Sequence, residues 1–137
     1  MIEQSLLIIK PNAVVHHHIG HIITMVEQAG FNLKYLQTFQ FTPELASVFY
    51  EMHKGKNFYD QLVNFMCSAP CVGIIVEKEN AIEDLRDLIG DVNPEKRKAG
   101  TIRDFFAEGI TENAVHASDS KESAEREINI IFPQFGT

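Results

Sequence analysis

Tryptophan is absent from the sequence, cysteine occurs only twice, and no apolar run approaches the length of a membrane-spanning helix, about 18 residues. Cys67 and Cys71 flank a Ser-Ala-Pro segment, and no second cysteine pair stands at metal-ligand spacing. The first 30 residues also lack the pattern of a cleavable signal peptide. We therefore expect a cytoplasmic protein with no membrane segment, whose two cysteines are small apolar side chains rather than a redox pair.

Basic side chains are scarce as well. The sequence has 12 Lys and Arg against 19 Asp and Glu, which gives a formal net charge of -7. Such a field disfavours nonspecific binding to a polyanion, so we predict no nucleic-acid partner. A ferredoxin-like module for RNA would also need a basic or aromatic sheet face. With 137 residues, 45% of them hydrophobic, residues 1–137 are expected to form a single domain.

Glycine-rich phosphate-binding motifs are missing. Neither GxxxxGK[ST] nor GxGxxG occurs, so a nucleotide phosphate would not be held by a glycine-rich loop at the start of a helix. Side chains would have to hold it instead, and the planar guanidinium of arginine suits this role. The candidates are isolated cations at the ends of predicted elements, each of which is by itself more typical of a solvated surface: Lys10, Arg86 and Arg103.

Hydrophobic periodicity predicts strands interleaved with helices. The apolar run 6–9, closed by Lys10 and a proline, predicts a buried strand, and the β-branched run 72–76 predicts a central strand buried on both faces. A further strand is predicted between 31 and 41. Helical spacing and stop signals predict helices at 19–29, after Thr42, over 58–66, over 80–88 and from residue 119 or 120 onward. The order favours a small α/β or α+β sandwich, with 90–100 as a long surface loop.

Three helix starts are predicted from capping residues. Thr42 precedes a proline and a glutamate, as is typical of an N-cap. Asn80 is predicted to cap the helix over 80–88 in the same way. For the last helix, Asp119 and Glu122 have the spacing of a capping box.

The most informative stretch is NAVHASDS at 113–120, which places His116 between an apolar strand and the polar start of a helix. Histidine titrates near neutral pH, and its neutral ring nitrogen can attack phosphorus. Ser118 could donate to a phosphate oxygen, and a carboxylate of the last helix, such as Glu127, could hold the ring in one tautomer. The alternative is a hydrogen-bonded structural histidine at a strand end, which is the commoner role of a lone histidine.

NAVHASDS closely resembles the nucleoside diphosphate kinase signature around its phosphoryl-accepting histidine. Further blocks resemble that family in the same order, and together they cover nearly the whole chain: IIKPNAV, FYEMH, FMCSAP, ENAIEDLRDLIG, GTIRDFF and ESAEREI. The resemblance implies a ferredoxin-like βαββαβ antiparallel sheet covered by helices. It also implies an enzyme that moves the γ-phosphate of a nucleoside triphosphate to a nucleoside diphosphate by ping-pong kinetics.

The same resemblance implies roles for individual residues. His116 would be the nucleophile and would become a phosphohistidine, Glu127 would orient it, and Ser118 would bond near it. Tyr50 would point its hydroxyl at the transferred group, and Lys10 would lie near the phosphates and the ribose. Asn113 would contact the ribose, and Arg86 and Arg103 would contact the phosphates. Val92 would lie near the phosphates, and the base would lie between Phe58 and Ile110.

Magnesium is the cofactor that the resemblance implies, as a bridge between phosphate oxygens that Asp119 reaches through water. The implied partners are nucleoside di- and triphosphates of several bases and further copies of the chain, as a tetramer or a hexamer. A noncatalytic nucleotide-binding or scaffolding relative is the alternative. The intact set of reacting residues argues against it.

Several positions depart from the family pattern, and the most consequential is Val92, which stands where the family has a threonine whose hydroxyl meets a phosphate. We expect this change to weaken nucleotide affinity more than it alters the mechanism. The other departures remove no reacting group: Asn12, Asn57, Ala99 and Ala117. Separately, the histidines at 16, 17, 18 and 21 could bind a transition metal, although an exposed loop entering the first helix is the simpler interpretation.

Overall fold

The computed structural model of the chain describes residues 1–135. Within this range the strands are β1 (Ile2–Ile9), β2 (Asn32–Phe39), β3 (Cys71–Glu79) and β4 (Val115–Ala117). The α-helices are α1 (Pro11–Val15), α2 (Ile19–Gln28), α3 (Pro43–Phe49), α4 (Tyr59–Met66), α5 (Ala81–Ile89), α6 (Ile102–Phe106) and α7 (Lys121–Ile131). Short 3-10 turns lie at Glu51–His53 and Pro133–Phe135. No helix in this part of the chain is both long and apolar enough to cross a membrane.

The strands form one sheet in the order β2-β3-β1-β4, in which all neighbouring strands are antiparallel. This is the ferredoxin-like antiparallel arrangement that the sequence predicted. β1 and β3 lie in the middle, and residues 5–9 of β1 and 71–76 of β3 are buried on both faces. The predicted central strand at 72–76 is confirmed, because this part of β3 is buried throughout between its two neighbours.

Alternate residues of β1 supply two separate apolar clusters. Leu7 and Ile9 face a cluster that includes residues of α2 and α5, whereas Leu6 and Ile8 face one that includes residues of α3 and α7. All four side chains have no exposed surface. Because successive side chains of a strand point to opposite faces, helices pack on both sides of the sheet, and the end of β1 lies deep between them.

The prediction for the start of α3 is confirmed, but two other helix starts differ from it. The Thr42 hydroxyl accepts a hydrogen bond from the Leu45 amide at 3.1 Å. Asn80 adopts a left-handed backbone with φ of 58°, and its amide donates to Asp84 at 3.0 Å. Asn80 occupies the N-cap position of α5, as predicted, but among the described residues its side chain accepts no capping bond from the backbone.

At α7 the predicted capping box is wrong. The helix begins at Lys121, and the hydroxyl of Ser120 accepts from the Ser123 amide at 3.0 Å. Asp119 therefore lies one position too early to cap the helix, and Glu122 stands in its first turn. Of the two starts that the sequence allowed, residue 120 is the N-cap and residue 119 lies one position before it.

The histidines at 16, 17, 18 and 21 are not arranged as a set of metal ligands in the described part of the chain. His17 lies before α2 with φ of 65°, so His17 and His21 do not share a helical face. His16 bonds to Glu108 at 2.9 Å, and the ring of His18 packs on Phe106 with centroids 4.4 Å apart. Across residues 1–135 no three His, Cys, Asp or Glu side chains are grouped to hold a metal ion. The simpler interpretation, a loop entering the first helix, is confirmed.

The two cysteines are free thiols. Cys71 is buried at the start of β3, and burial raises the pKa of its thiol to about 12. Cys67 is half-buried at the end of α4, and the pKa of its thiol is also raised, chiefly by burial. Both groups are therefore protonated at neutral pH and behave as apolar side chains, as the sequence predicted.

Candidate active site

His116 occupies the middle of the shortest strand. β4 pairs with the end of β1, which sets His116 opposite Ile8. The Lys10 amide donates to the carbonyl of Ala114 at 2.8 Å, and Ala114 takes up a left-handed φ of 76° just before the strand. The turn before β4 is therefore fastened to the residue that follows β1. His116 and Lys10, which are far apart in the sequence, come to the same end of the sheet.

The ring of His116 is held from α7. Glu127 is buried, and its Oε1 lies 2.8 Å from Nε2 of His116 and 2.7 Å from the Ser118 hydroxyl. An ionised carboxylate only accepts hydrogen bonds, so Nε2 and Ser118 are the donors and Nδ1 keeps a lone pair. The Ser118 hydroxyl is thus bonded to Glu127, and the residue has no exposed surface. Phe49 packs edge-on against the ring, with centroids 5.4 Å apart.

Two arginines reach the carbonyl groups on either side of His116. Arg103 from α6 donates to the Val115 carbonyl at 2.9 Å, and Arg86 from α5 donates to the Ala117 carbonyl at 3.3 Å. Arg103 also donates to the Gly90 carbonyl at 2.8 Å. Burial, and then the charge of Arg86, lower the pKa of Arg103 to about 10, so it stays cationic at neutral pH.

An open cleft of about 340 Å³ adjoins these arginines. Its lining is strongly basic and comprises Arg86, Asp87, Gly90, Asp91, Val92, Lys96, Lys98, Thr101 and Arg103. Val92 is 39% exposed there, so the valine that replaces the expected threonine faces the same cleft as both arginines. Four cations around one cleft suit an anionic ligand with several charges.

Lys10 and Tyr50 are buried polar groups near this centre. Burial and the charge of Arg103 lower the pKa of Lys10 to about 7. Burial raises the pKa of Tyr50 above its ordinary value, so its hydroxyl is a neutral donor. Within residues 1–135 the Tyr50 hydroxyl, Arg103 Nε and Asn113 Oδ1 are buried without a hydrogen-bond partner. Buried polar atoms left unpaired are costly, and their concentration here indicates atoms kept for a ligand.

Phe58 and Ile110 lie on the surface, 44% and 70% exposed. Phe58 is linked to the centre through His53, whose ring is 5.2 Å from that of Phe58 and 6.2 Å from that of Tyr50. Ile110 is linked through Asn113, whose amide donates to the Ile110 carbonyl at 2.8 Å. Phe58 and Ile110 therefore each contact a residue next to the buried centre, while their own side chains remain exposed.

Asp119 follows β4 and precedes α7. A hydrogen bond from Ser123, and then the charge of Arg86, lower the pKa of Asp119. The group is therefore an ionised hard-oxygen donor beside the basic cleft, which suits a water-mediated contact with Mg²⁺. A protein cage for the metal would need more ligands than the described residues group together.

Sequence reasoning missed Phe49 and His53 as neighbours of the site. Both lie in the FYEMH block, but aromatic side chains at helical spacing are ordinarily core residues. Only the packing of α3 and the following 3-10 turn against β4 shows that their rings contact His116 and Tyr50.

Comparisons with known proteins agree with this geometry. A family model described as nucleoside diphosphate kinase matches residues 3–136. A nucleoside diphosphate kinase of Actinobacillus pleuropneumoniae serotype 3 (strain JL03) is 49% identical over 132 residues, which is 96% of each protein. One of Methanocaldococcus jannaschii is 45% identical over 134 residues, covering 98% of this chain and 96% of that protein.

Solved structures show the same fold. The nucleoside diphosphate kinase of Aquifex aeolicus superposes with a TM-score of 0.92 at 41% identity and covers 96% of both chains. A halophilic nucleoside diphosphate kinase from Halobacterium salinarum, solved in complex with CDP, superposes with a TM-score of 0.92 at 30% identity, covering 96% of this chain and 88% of the other. The chain belongs to the nucleoside diphosphate kinase family.

Proposed function

We propose that the protein transfers the γ-phosphate of a nucleoside triphosphate to a nucleoside diphosphate through a phosphohistidine at His116. The observation that carries the proposal is the 2.8 Å bond between His116 Nε2 and Glu127, because in the neutral ring it favours the tautomer with the proton on Nε2 and the lone pair on Nδ1. A structural histidine at a strand end would not need basic groups around it. Here two arginines bond to the carbonyl groups of its chain neighbours.

In the first half-reaction the Nδ1 lone pair forms a bond to the γ-phosphorus. The bond between that phosphorus and the β,γ-bridging oxygen breaks, and the oxygen leaves with the diphosphate. In the second half-reaction a terminal β-oxygen of another diphosphate attacks the same phosphorus, and the electron pair of the N–P bond returns to Nδ1. One side chain serves both directions, which gives ping-pong kinetics.

Phosphoryl transfer spreads negative charge over three equatorial oxygens, so placed donors and cations lower its barrier. Arg86 and Arg103 are assigned to the phosphates, and the neutral hydroxyl of Tyr50 is assigned to donate to the transferred group. Lys10 is assigned to the phosphates and, with Asn113, to the ribose hydroxyls. Glu127 stabilises the ring as it gains positive character. These assignments use three of the five buried side-chain atoms that have no partner among the described residues; the other two are Ser5 Oγ and Asn12 Oδ1.

Magnesium enters as part of the substrate, the Mg-nucleotide. Asp119 is the side chain assigned to reach its water shell, because its carboxylate is ionised beside the basic cleft. The residues assigned to the phosphates are cations, so Asp119 alone would face the ion, which when bound would add positive charge against the phosphates.

Base selection follows from the exposed apolar pair Phe58 and Ile110, which we assign to the two faces of the base. Stacking tolerates any base because every base has a π-face. ATP, GTP, CTP and UTP should therefore all serve as donors within roughly a factor of ten. A preference for one base beyond about a thousandfold would require a polar readout and would contradict this assignment.

A homo-oligomer, tetramer or hexamer, is proposed as the working form in the cytoplasm. Its support is a set of exposed apolar side chains, among them Leu36, Val48, Phe105 and Phe135. Sedimentation at micromolar concentration should give a species several times the mass of 15.5 kDa. A single species at the monomer mass would contradict the proposal.

The decisive experiment on the function uses His116→Ala. The variant should form no acid-labile, base-stable phosphoenzyme from labelled ATP and should transfer no phosphate to GDP. His17→Ala is the matched control, since His17 is an exposed histidine outside the site, and it should behave as the parent protein. Exchange by His116→Ala at near the parental rate would overturn the mechanism.

A further inference from the structure

Asn12 follows the end of β1 and fastens the segment 107–113 to the rest of the fold. Its side chain is buried, with 8% of the residue surface exposed. Its Nδ2 donates to the Glu108 carboxylate at 2.9 Å and to the carbonyl groups of Glu112 at 3.2 Å and Phe106 at 3.5 Å. One amide group therefore joins α1, the helix that directly follows β1, to both ends of a single turn of chain.

That turn closes around the Glu112 carbonyl. The carbonyl accepts from the amides of Glu108 at 2.7 Å and Gly109 at 3.2 Å, as well as from Asn12. Without the Asn12 bonds, the turn would be held by its own backbone and by the exposed contact of Glu108 with His16 at 2.9 Å. Local structure held by few outside contacts opens more readily than a turn tied to a central strand.

We propose that Asn12, together with Glu108, is a positioning residue for the nucleoside half of the substrate. The segment it fastens carries Ile110 and leads into Asn113, whose amide donates to the Ile110 carbonyl at 2.8 Å. The inference rests on the proposed function, in which Ile110 meets the base and Asn113 meets the ribose. Asn12 itself touches no substrate, so it acts only through the segment 107–113.

The chemistry of the contact requires an amide at this position. All three partners of Nδ2 are acceptors, so the group that faces them must be a donor. The Asn12 bond, and after it the contact with His16, lower the pKa of Glu108, which is therefore ionised at neutral pH. An aspartate at position 12 would set a second carboxylate against it and would remove the side-chain donor that the three acceptors share.

Asn12→Asp is accordingly the first test variant, and two double variants separate its causes. In Asn12→Asp with Glu108→Gln, the new amide can donate to the new carboxylate, which reverses the polarity of the native bond. In Asn12→Asp with Glu112→Gln, the same charge is removed from the same turn. Glu112, however, accepts the Asn12 bond through its backbone carbonyl and not through its carboxylate.

Two readouts are measured on each full-length variant. The first is amide hydrogen exchange at Glu108 and Gly109, which reports the closure of the turn and requires no activity. The second is the dissociation constant of ADP compared with that of inorganic pyrophosphate, which has no nucleoside. Glu108→Ala, a change at a surface residue that should not prevent folding, gives a second break of the link and also removes the contact of Glu108 with His16.

Asn12→Asp should speed amide exchange in the turn and raise the dissociation constant of ADP, each by about tenfold, while pyrophosphate binding changes by less than about twofold. Glu108→Ala should shift both readouts in the same direction. The Glu108→Gln double variant should recover at least about threefold of the ADP affinity, and the Glu112→Gln double variant should not.

If the parent protein binds ADP and both Asn12→Asp and Glu108→Ala bind it with unchanged affinity, this inference is overturned, but the proposed function is not. Equal recovery in the two double variants would also overturn it, because charge rather than the specific bond would then be responsible. A parent protein that binds no ADP would overturn the proposed function and the nucleoside role with it. Amide exchange would still show whether Asn12 closes the turn.

Discussion

The His116 ring and the Glu127 carboxylate, eleven residues apart in the sequence, meet at 2.8 Å between β4 and α7. The same Glu127 oxygen also accepts from Ser118 at 2.7 Å. The carboxylate thus accepts two hydrogen bonds on one oxygen, one of them from the ring that it orients. The His116 ring is thus placed by a contact that neither the strand nor the helix provides alone.

Glu127→Gln should slow phosphoenzyme formation by roughly tenfold to a thousandfold. The new side chain can present an N–H to Nε2, which favours the tautomer with the proton on Nδ1 and removes the nucleophilic lone pair. Rapid-quench measurement with labelled ATP gives the rate. Glu125→Gln, an exposed change on the same helix, should leave it unchanged. A parental rate in Glu127→Gln would show that Glu127 does not select the tautomer.

Lys10→Met should stabilise the protein most at low pH. The pKa of Lys10 is about 7 in the folded protein against 10.5 as its ordinary value. Between these values the unfolded chain binds more protons, so this group makes stability rise with pH, and its full cost is present below about pH 7. The melting temperature of Lys10→Met should exceed that of the parent by about 4 °C or more at pH 6, and by less at pH 9.

The control for this prediction is Lys121→Met, which changes an exposed lysine. Its melting temperature should differ from that of the parent by about 2 °C or less at both pH values. A gain for Lys10→Met that is equal at pH 6 and pH 9 would contradict the assigned titration of Lys10. Lys10→Met should also lose most of its phosphate transfer, since the cation assigned to the phosphates is gone.

Val92→Thr should tighten ADP binding. Threonine has nearly the shape of valine and adds one hydroxyl donor to the basic cleft that Val92 lines. One such bond to a phosphate oxygen corresponds to a few-fold to about thirtyfold in the dissociation constant. Isothermal titration of both forms with ADP measures the difference, and His116 should remain the phosphorylated residue. Val48→Thr, at an exposed valine on α3, is the control. Equal affinities would place position 92 away from the phosphates.

Gly90→Ala should destabilise the protein by about 2 kcal/mol or more. Gly90 has φ of 88°, and an added Cβ would lie 2.7 Å from the Cβ of Thr101, which is closer than the packing allows. The Gly90 carbonyl also accepts from Arg103, so the strain should reach the cleft and lower kcat/KM as well. Urea unfolding and steady-state kinetics test both effects.

Gly20→Ala gives the opposite expectation and serves as the matched control. In the described part of the chain nothing lies within 4 Å of the added Cβ, and Gly20 is in α2. Alanine should therefore stabilise that helix by about 0.5 to 1 kcal/mol. Destabilisation of both variants to the same extent would mean that the strain at Gly90 is not the cause.

The sequence by itself determined the fold class and the residues with reactive chemistry. The apolar run 72–76 and the helical periods predicted the elements because burial in a strand or on a helix face follows short-range spacing. The NAVHASDS stretch singled out His116 because its nitrogen chemistry is visible in any fold. Helix capping was harder to predict from the sequence. Asn80 and Asp119 are residue types that commonly cap helices, but neither side chain forms the expected capping bond.

Only the tertiary structure decided how the reactive groups are held. The bond of Ser118 to Glu127 and the unpaired hydroxyl of Tyr50 depend on the docking of α7 and α3 against the sheet. The link from Asn12 to Glu108 joins residues 96 positions apart. Such contacts depend on the distance and direction between side chains of separate elements. Packing sets both, and residue spacing along the sequence does not specify them.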